Sequence, residues 1–493
     1  MTDEIHSNLN TIHDVVVVGA GFSGICAGVK LQENGITNFV ILEKNSGVGG
    51  TWWKNNYPGS QCDVPSQLYC FSFEMNPNWS RRFAPQTEIQ QYLQGVVDKY
   101  GLGKHLFNGV EALRYILDDK TKLWHTHLAD GTILRSHHVI CGTGGLCIPS
   151  YPNIPGRDSF GGTSMHSMHW DPEFDYANKR IGIIGSAASA IQILPPVSET
   201  AKHVTLFQRS ANYIAPRVDP VYSDKEKARR RRFPWLMKAE RAFYWTFLET
   251  IFYSVTRKHS FLRKGLSKLM LNQITDTIKD PALRKKLTPN HQLGCKRPLM
   301  SNNFYAALNR DNTLLETTTI EAIEPTGVLT SDGHLHEFDA IVYATGFDMG
   351  KAWDLDVTGT QGRSLKKQWA EGASAYQGNS IPNAPNFYLS TGPNVALGNM
   401  SFVYIIEAQI EYILKCIKAS GSTHLLEVKE DVNQAYNDVI QKALIDETIW
   451  FDGCSNWFVN EAGKCTVNYP WRSYTMRRKL QKFDIENYTL TEA

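Results

Sequence analysis

The sequence predicts an α/β fold that contains two Rossmann-like units, with a helical insertion in the second. A glycine-rich motif follows an apolar strand twice, at 15–24 and at 181–190. An Asp-Gly turn precedes a buried strand and a Thr-Gly pair twice, at 130–144 and at 332–346. The closing glycine lies 13 residues after the turn glycine each time. This internal repeat indicates that one supersecondary unit occurs twice in the chain.

The first glycine motif is complete. Four valines lead into Gly19, which makes the tight turn, while Gly21 admits a pyrophosphate and Gly24 lets the helix approach the strand. Glu43 lies 19 residues after Gly24, where an acid accepts hydrogen bonds from both ribose hydroxyls of an adenosine. The segment 49–52, Gly-Gly-Thr-Trp, allows the backbone to approach a phosphate or a ring. This site predicts a bound FAD or NAD.

The second motif departs from the ideal pattern, because Ala187 takes the middle glycine position. Ala190 takes the third position, where alanine is allowed. We expect the methyl group of Ala187 to narrow the approach of a pyrophosphate. The hydroxyls of Ser186 and Ser189 and the helix N-terminus remain as donors. Arg209 lies 19 residues after Ala190, and an arginine there suits a 2′-phosphate. The second site therefore predicts NADPH, and a chain with a flavin site and an NADPH site is predicted to be a redox enzyme.

The two units differ in length, which suggests how the domains are arranged. The second unit is longer than the first between its ribose-binding residue and its Asp-Gly turn, and the extra length coincides with a Lys/Arg-rich, helical-looking region at about 220–290. We predict an FAD-binding domain over 1–150 and an NADPH-binding domain with this helical insertion over 151–349. Residues 350–493 are predicted to return and complete the FAD-binding domain.

Composition narrows the class of protein. A net charge of +2 over 493 residues provides too little positive electrostatic potential to bind nucleic acid. The nine cysteines include no CxxC pair, which disulfide reductases with two nucleotide sites usually need. The chain start, residues 1–13, is polar and has no hydrophobic signal segment. We therefore expect a cytoplasmic protein with reduced thiols.

A basic run at 229–232 precedes an aromatic stretch at 233–253. One interpretation is a membrane-surface helix, since basic side chains beside an apolar face are the interfacial pattern. The other is an amphipathic helix of an inserted subdomain with a solvated basic end. Charged residues interrupt the stretch and exclude a spanning helix, so no integral membrane segment is predicted. These residues are Lys238, Glu240, Arg241 and Glu249.

A longer motif lies between the two glycine motifs. Phe160, Gly162, His166, Trp170 and Asp171 match the pattern FxGxxxHxxxW(P/D) at every specified position. This is the fingerprint of type I Baeyer–Villiger monooxygenases, which belong to the class B flavoprotein monooxygenases, and the chain resembles that family. Related enzymes that oxygenate nitrogen or sulfur usually carry Tyr in place of the tryptophan. The resemblance extends over nearly the whole chain, including the Ala-Thr-Gly motif at 344–346.

The resemblance implies a reaction. NADPH reduces FAD, the reduced flavin takes up O2 as a C4a-peroxide, and a ketone is converted to an ester or lactone. Lys296-Arg297-Pro298 is similar to the family's Lys-Arg segment. By this resemblance Arg297 is the catalytic cation over the flavin, and Asp63 is the acid that holds it. From the residues alone, Arg297 and Lys296 could also be a solvated surface pair, and Asp63 could cap a turn.

The same resemblance implies roles in cofactor binding. Lys296 and Arg209 would hold the NADPH 2′-phosphate, His166 would act on domain linkage and NADPH positioning, and Gln192 would lie near the nicotinamide cofactor. Trp52 could stack on the flavin or belong to the core. The predicted cofactor-binding residues are Gly19, Gly21, Phe22, Ser23, Gly24, Glu43, Lys44, Gly50, Thr51, Trp52, Asp63, Tyr69, Thr143, Gly144, His166, Gly185, Ser186, Ala187, Ala188, Ser189, Gln192, Arg209, Lys296, Arg297, Thr345 and Gly346.

Other functions stay open at this point. The chain could be a flavin-containing monooxygenase that oxidises sulfides or amines, an NADPH oxidase or quinone reductase, or a nucleotide-binding regulatory protein. His166 and His169 could ligate a metal, but no third ligand has suitable spacing, so no metal site is predicted. The expected partners are a small-molecule ketone and O2. Linear, cyclic, aromatic and steroid ketones are all compatible with the sequence, as is any oligomeric state.

Overall fold

The computed structural model describes residues 11–398, 400–453 and 456–493. The first ten residues, which belong to the polar chain start and to the predicted 1–150 domain, lie outside the described residues. The strands are β1 Ile12–Val18, β2 Phe39–Glu43, β3 Leu106–Asn108, β4 Ala112–Leu117, β5 Trp124–Leu128, β6 Ile133–Cys141, β7 Thr163–His166, β8 Arg180–Ile184, β9 His203–Phe207, β10 Ile214–Ala215, β11 Leu299–Met300, β12 Thr313–Glu316, β13 Ile320–Glu324, β14 Gly327–Thr330, β15 Leu335–Glu337, β16 Ala340–Tyr343, β17 Asp356–Thr358, β18 Phe387–Leu389, β19 His424–Val428 and β20 Tyr488–Glu492.

The helices connect these strands. The α-helices are α1 Phe22–Glu33, α2 Thr51–Lys54, α3 Gln86–Lys99, α4 Ala188–Thr200, α5 Asp224–Arg232, α6 Trp235–Thr256, α7 Leu262–Thr277, α8 Pro281–Leu287, α9 Phe304–Leu308, α10 Leu365–Gln368, α11 Phe402–Ser420, α12 Glu430–Glu447 and α13 Ser473–Gln481. Short 3-10 helices occur at Leu102–His105, Arg157–Ser159, Ser167–His169, Lys351–Trp353, Thr360–Gly362, Ile449–Phe451 and Ile485–Asn487. Among the described helices, none combines the length and the apolar character needed to cross a bilayer.

The first sheet is built around β1. Its valines are buried, because β-branched side chains pack well in a parallel sheet that is covered on both faces. The strand order is β17-β4-β5-β6-β1-β2-β3, and β18 also pairs with β6. Strands β17 and β18 lie beyond residue 350, so the C-terminal part of the chain joins the sheet that begins at residue 12. The largest core cluster combines residues of β1 with residues of α1, α3 and α11.

The second sheet has the order β12-β9-β8-β16-β7, and all of these strands run parallel. Strand β8 occupies the position that β1 has in the first sheet. The two parallel arrangements, each with a glycine turn after the central strand, confirm the predicted fold class of two Rossmann-like domains. The domain limits at 150 and 349 stay a prediction.

The repeated Asp-Gly turns lie in hairpins, as predicted, but the hairpins continue differently. In the first unit the turn joins β5 to β6, and β6 itself runs on into the nucleotide sheet beside β1. In the second unit the turn joins β14 to β15 in a separate three-stranded sheet, and the chain enters the nucleotide sheet afterwards as β16. The two units are therefore most alike at the return strand, which is β6 in the first unit and β16 in the second, because the end of this strand contacts the glycine turn in both.

The glycine turns of the two units have equivalent geometry. Gly19 has φ +94° and Gly185 has φ +115°, a region that residues with a Cβ rarely adopt. A Cβ on Gly19 would lie 2.7 Å from the Gly142 carbonyl oxygen, and one on Gly185 would lie 2.3 Å from the Ala344 carbonyl oxygen. Both positions therefore require glycine, since the return strand ends directly against the turn.

The predicted helical insertion is present as α5–α8, between β10 and β11. Its longest helix, α6, packs against the domain that contains the first sheet. The ring of Trp245 lies 6.2 Å from that of Tyr404 on α11. Glu249, 3% exposed, accepts hydrogen bonds from the Ser473 hydroxyl at 2.9 Å and the Tyr474 N–H at 3.2 Å. A carboxylate of α6 thus binds the N-terminus of α13, where the helix dipole favours negative charge.

Arg241 on α6 makes a second contact of this kind. Its Nη1 donates hydrogen bonds to the carbonyl oxygens of Gln67, Leu68 and Cys70, at 3.1, 3.4 and 2.8 Å. Its Nη2 lies 4.0 Å from Oε2 of Glu407, a carboxylate on α11 that is 2% exposed. One buried guanidinium therefore holds a loop of the first domain and compensates a buried carboxylate.

We expect the substitution Gly24→Ala to weaken FAD retention, because the new Cβ would lie 1.8 Å from the Gly19 carbonyl oxygen and would force the turn apart. Overpacking of this kind costs about 1–3 kcal/mol. The measurements are the FAD content of the purified protein and its thermal unfolding. Gly95→Ala is the matched control, since a Cβ there meets nothing within 4 Å and Gly95 lies inside α3. Equal FAD content in both variants would contradict this account of the turn.

Replacing Arg241 with leucine is expected to lower the apparent Tm. The three carbonyl oxygens lose a charged donor and Glu407 loses its cation, and breaking a buried pair from one side costs about 3–5 kcal/mol, or a Tm shift of about 5 °C or more. Thermal unfolding followed by circular dichroism gives the measurement. Lys238→Leu, at an exposed position of the same helix, is the control. A Tm equal to that of the control would mean that Arg241 does not stabilise the domain contact.

Candidate active site

The turn between β1 and α1 forms the first nucleotide cradle. Gly21 is the N-cap of α1, and no described side chain caps this N-terminus, so its first N–H groups remain for an anion. Glu43, 3% exposed, ends β2 beside the turn. Its Oε2 accepts a hydrogen bond from the Ala20 N–H and its Oε1 one from the Asn45 N–H, both at 2.8 Å. These two bonds hold the carboxylate at the position where a ribose would lie.

The aromatic residues predicted near this cradle form one buried group. The Nε1 of Trp52 donates a hydrogen bond to the Tyr69 hydroxyl at 3.0 Å. The Phe22 ring lies 5.2 Å from that of Tyr69, edge to face. Trp52 and Phe22 belong to the largest core cluster, and burial raises the pKa of Tyr69 above its ordinary range. Trp52 thus packs in the core cluster, and its contact with a flavin stays a prediction.

The turn between β8 and α4 forms the second cradle. Its N-cap, Ala187, has φ −93° and ψ −158°, close to the φ −84° and ψ −164° of Gly21 in the first cradle. An L-residue adopts these angles without strain, so alanine disturbs no backbone there. Ala187 and Ala188 are exposed. The Ser186 hydroxyl donates to the Ser210 carbonyl oxygen at 3.1 Å, so it braces the turn.

Two cations lie together beside the second cradle. Lys296 Nζ donates a hydrogen bond to the Ser210 hydroxyl at 2.7 Å. Burial and the nearby charge of Arg209 lower the pKa of the Lys296 ammonium. Within the described residues, neither cation has a carboxylate within ion-pair distance. Two uncompensated positive charges at the predicted ribose position suit a phosphate dianion.

Arg297 lies at the junction of the two domains, next to the short parallel pair β10 and β11. Its Nη2 and Nε donate hydrogen bonds to Oδ2 of Asp63 at 2.8 and 3.1 Å. The side chains of Arg297 and Asp63 are 37% and 33% exposed, so neither is closed off from solvent. The Asp63 charge raises the pKa of the guanidinium, which stays protonated at every working pH.

Gln192 on α4 also joins the domains. Its Oε1 accepts a hydrogen bond from the Tyr57 hydroxyl at 2.9 Å, and its Nε2 donates to the Gln61 carbonyl oxygen at 3.0 Å. Both ends of the amide thus bind the loop that leads to Asp63. Together with the Arg241 contacts, three side chains of the second domain hold the segment 57–72 of the first.

His166 ends β7 at the same junction and is fully buried. Its Nδ1 accepts a hydrogen bond from the Met168 N–H at 3.1 Å. Burial, with a smaller contribution from the charge of His169, lowers the pKa of His166 to about 4. The imidazole is therefore neutral near pH 7 and unsuited to act as a general acid there. Among the described residues, no three potential ligands come together as a metal site.

The remaining predicted residues are placed as follows. Lys44 is exposed, and its Nζ lies 3.8 Å from Oε1 of Glu111. Thr143 and Gly144 follow β6 while Thr345 and Gly346 follow β16, equivalent positions after the two return strands. The other residues lie at the two turns: Ser23 is buried and accepts a hydrogen bond from the Ser390 hydroxyl, Gly50 packs against Gly21, Thr51 begins α2, and Ser189 lies in the first turn of α4.

Ser210 and the positioning role of Arg241 were not predicted from the sequence. Ser210 follows Arg209 directly, but a serine at that place has no distinctive pattern. Arg241 did carry a signal, since a single arginine within an aromatic helical stretch suggests a buried polar partner. That partner is a set of backbone carbonyl oxygens, which no sequence pattern identifies.

Comparison with known proteins agrees with this geometry. A family model described as pyridine nucleotide-disulphide oxidoreductase matches residues 16–233. The chain is 38% identical to a Baeyer–Villiger monooxygenase from Pseudomonas aeruginosa, over 97% of this chain and 91% of that protein. It is 37% identical to a Baeyer–Villiger monooxygenase from Streptomyces coelicolor, over 99% of this chain and 93% of that protein.

Solved structures agree as well. The crystal structure of a cyclohexanone monooxygenase from Rhodococcus sp. Phi1 bound to NADP+ matches with a TM-score of 0.89 and 26% identity, over 98% of this chain and 100% of that chain. An oxidized steroid monooxygenase bound to NADP matches with a TM-score of 0.85 and 27% identity, over 98% and 100% of the two chains. The family expected from the fingerprint is confirmed, and this chain belongs to the Baeyer–Villiger monooxygenases.

Proposed function

We propose that this protein is an FAD- and NADPH-dependent monooxygenase that converts a ketone to an ester or lactone. One atom of O2 enters the product beside the carbonyl carbon, the other leaves as water, and NADPH is oxidised to NADP+. The observation that carries the proposal is the Arg297–Asp63 pair, which links the two nucleotide-binding domains while both side chains stay about one third exposed. When bound, the flavin supplies the activation of O2.

The residues of the chain bind and orient the two nucleotides. The N-terminus of α1 and Glu43 fit the pyrophosphate and ribose of FAD. Arg209 and Lys296 fit the 2′-phosphate that distinguishes NADPH from NADH. The uncapped N-terminus of α4 fits the second pyrophosphate, with Ala187 in an unstrained conformation. Both cradles therefore fit the cofactors that the family uses.

Arg297 supplies positive charge where the reaction needs it. Negative charge builds on the carbonyl oxygen of the ketone when the carbonyl carbon is attacked, and a fixed guanidinium stabilises it without reorganisation. Asp63 binds the Nε and Nη2 side of the guanidinium, and Nη1 makes no hydrogen bond to the described residues. Burial raises the pKa of the neighbouring Cys62 and Tyr69, so both stay neutral. The arginine is thus the charged donor of this site.

The proposal is tested by analysis of reaction products. The purified, FAD-loaded protein is incubated with NADPH, O2 and a panel of linear, cyclic and aryl ketones plus one thioether, and products are identified by mass spectrometry. Esters or lactones are the expected result. Sulfoxide as the sole product would instead indicate a flavin-containing monooxygenase that oxidises heteroatoms. NADPH consumption that is indifferent to every ketone would indicate an oxidase.

The Arg297→Ala variant is expected to keep flavin reduction by NADPH but to lose ester formation by a factor of about a hundred or more, because one preorganised charged donor is removed. Anaerobic loss of the oxidised-flavin absorbance measures the first step, and product yield measures the second. Arg114→Ala is the control, since Arg114 also pairs with an aspartate, at 2.6 Å, but on the exposed edge of the first sheet. An Arg297→Ala variant that still forms ester would remove Arg297 from the mechanism.

Lys296→Ala and Arg209→Ala are each expected to raise KM for NADPH about tenfold, with little change in KM for NADH, because only NADPH carries the phosphate that these cations would bind. Steady-state kinetics with both nucleotides gives the comparison. Lys202→Ala, an exposed lysine before β9, is the control. Equal effects on both nucleotides would place the 2′-phosphate elsewhere.

A further inference from the structure

Helix α6 directs three of its four charged side chains toward the rest of the protein. Glu240 accepts hydrogen bonds from the Tyr222 hydroxyl and from Arg230, both at 3.0 Å. Arg241 binds carbonyl oxygens of the first domain, and Glu249 binds the N-terminus of α13. Three of the four charges that exclude α6 as a spanning helix are therefore directed inward and compensated.

The opposite face of α6 is aromatic and exposed. Trp235, Phe243 and Phe247 have exposed fractions of 63%, 64% and 46%. The rings of Phe243 and Phe247 stack on the surface, 6.4 Å apart. Phe233, at the turn between α5 and α6, is 43% exposed. An ordinary surface helix turns its apolar stripe inward and its charges to water. Helix α6 buries apolar side chains such as Met237, but it leaves these aromatic rings exposed and directs most of its charges inward. Apolar patches left on a monomer mark an interaction surface.

The charges around this face have one sign. The exposed positions of α6 between 235 and 250 include Lys238 and no carboxylate. Arg229, Arg231 and Arg232 are exposed on α5, directly before the aromatic residues. The guanidinium of Arg232 lies 5.3 Å from the centre of the Phe233 ring. Trp and Phe with Lys and Arg at their border are the composition of helices that lie in a bilayer interface.

We propose that this aromatic face of α6, together with the exposed arginines of α5, docks on an anionic lipid surface. The aromatic side chains enter the boundary between headgroups and acyl chains, and the arginines bind anionic headgroups. Charge complementarity selects this occupant, because a face without carboxylates that is bordered by four cations has no acidic groups with which to pair a second copy of itself. The proposal does not depend on which ketone is the substrate.

The test measures binding of the FAD-loaded full chain to vesicles by co-sedimentation. Phosphatidylcholine vesicles are compared with vesicles that also contain phosphatidylglycerol, at low and at high ionic strength. The aromatic variant is Phe243→Ser with Phe247→Ser, and the basic variant is Arg229→Ser with Arg232→Ser. The control replaces two exposed apolar residues elsewhere, Leu113→Ser with Val439→Ser, which are 53% and 55% exposed. FAD content and ketone-dependent NADPH oxidation verify that each variant is folded.

The native chain and the control are expected to bind vesicles that contain phosphatidylglycerol, and binding is expected to fall with salt. The aromatic variant should bind these vesicles at least about tenfold more weakly than the native chain does. The basic variant should also bind more weakly and lose most of its salt dependence. Failure of the native chain to bind, or equal binding by the aromatic variant, would overturn the proposal. A native dimer that the aromatic substitutions convert to a monomer without lipid would also overturn it, since the face would then join two copies. None of these outcomes bears on the ketone oxidation, which is measured separately.

Discussion

The ion pair between Asp63 and Arg297 joins the two nucleotide-binding domains across 234 residues of sequence. Its geometry depends on the segment 57–72, which belongs to the first domain but is held by the second. Gln192 binds this segment near its start, Arg297 in the middle and Arg241 near its end. Because each contact uses a charged or amide group on backbone or carboxylate oxygens, a shift of one domain would leave several buried polar groups unpaired. The domain arrangement and the position of Arg297, the proposed catalytic cation, are thus set by the same contacts.

The two cradles show which position of the glycine motif requires glycine for its backbone conformation and which does not. Gly19 and Gly185 need a positive φ, and both are glycine. The middle position needs no special φ, since Gly21 and Ala187 have nearly the same angles. Gly21 faces the Gly50 turn, with Gly50 Cα 3.5 Å from where a Cβ would be, whereas Ala187 is exposed. A methyl group at the middle position is therefore exposed in the second cradle and would make only an ordinary van der Waals contact with protein atoms in the first.

Helix α6 has two functions that compete for its residues. Its inward face supplies Arg241, Glu249 and Glu240 to contacts with α5 and the first domain. These charged groups are therefore absent from the outward face, where water would solvate them. Trp235, Phe243 and Phe247 remain exposed on the outward face, whereas Trp245 packs against α11. Because α6 stabilises a domain contact with its polar groups, it leaves an apolar surface exposed. The exposed arginines of α5 make this apolar surface suited to an anionic lipid bilayer.

The sequence by itself determined the two cofactor classes, the fold class and the family, because a Rossmann turn and its ribose-binding residue are local features with fixed spacing along the chain. It also named Asp63 and Arg297, but only by resemblance. Their contact joins residues 234 positions apart, and nothing in local spacing brings them together. The orientation of α6 was likewise decided by the tertiary structure. The sequence left two interpretations of this stretch open. The contacts of Arg241 with the carbonyl oxygens of residues 67–70, and of Glu249 with the N-terminus of α13, decide which face of the helix lies inward.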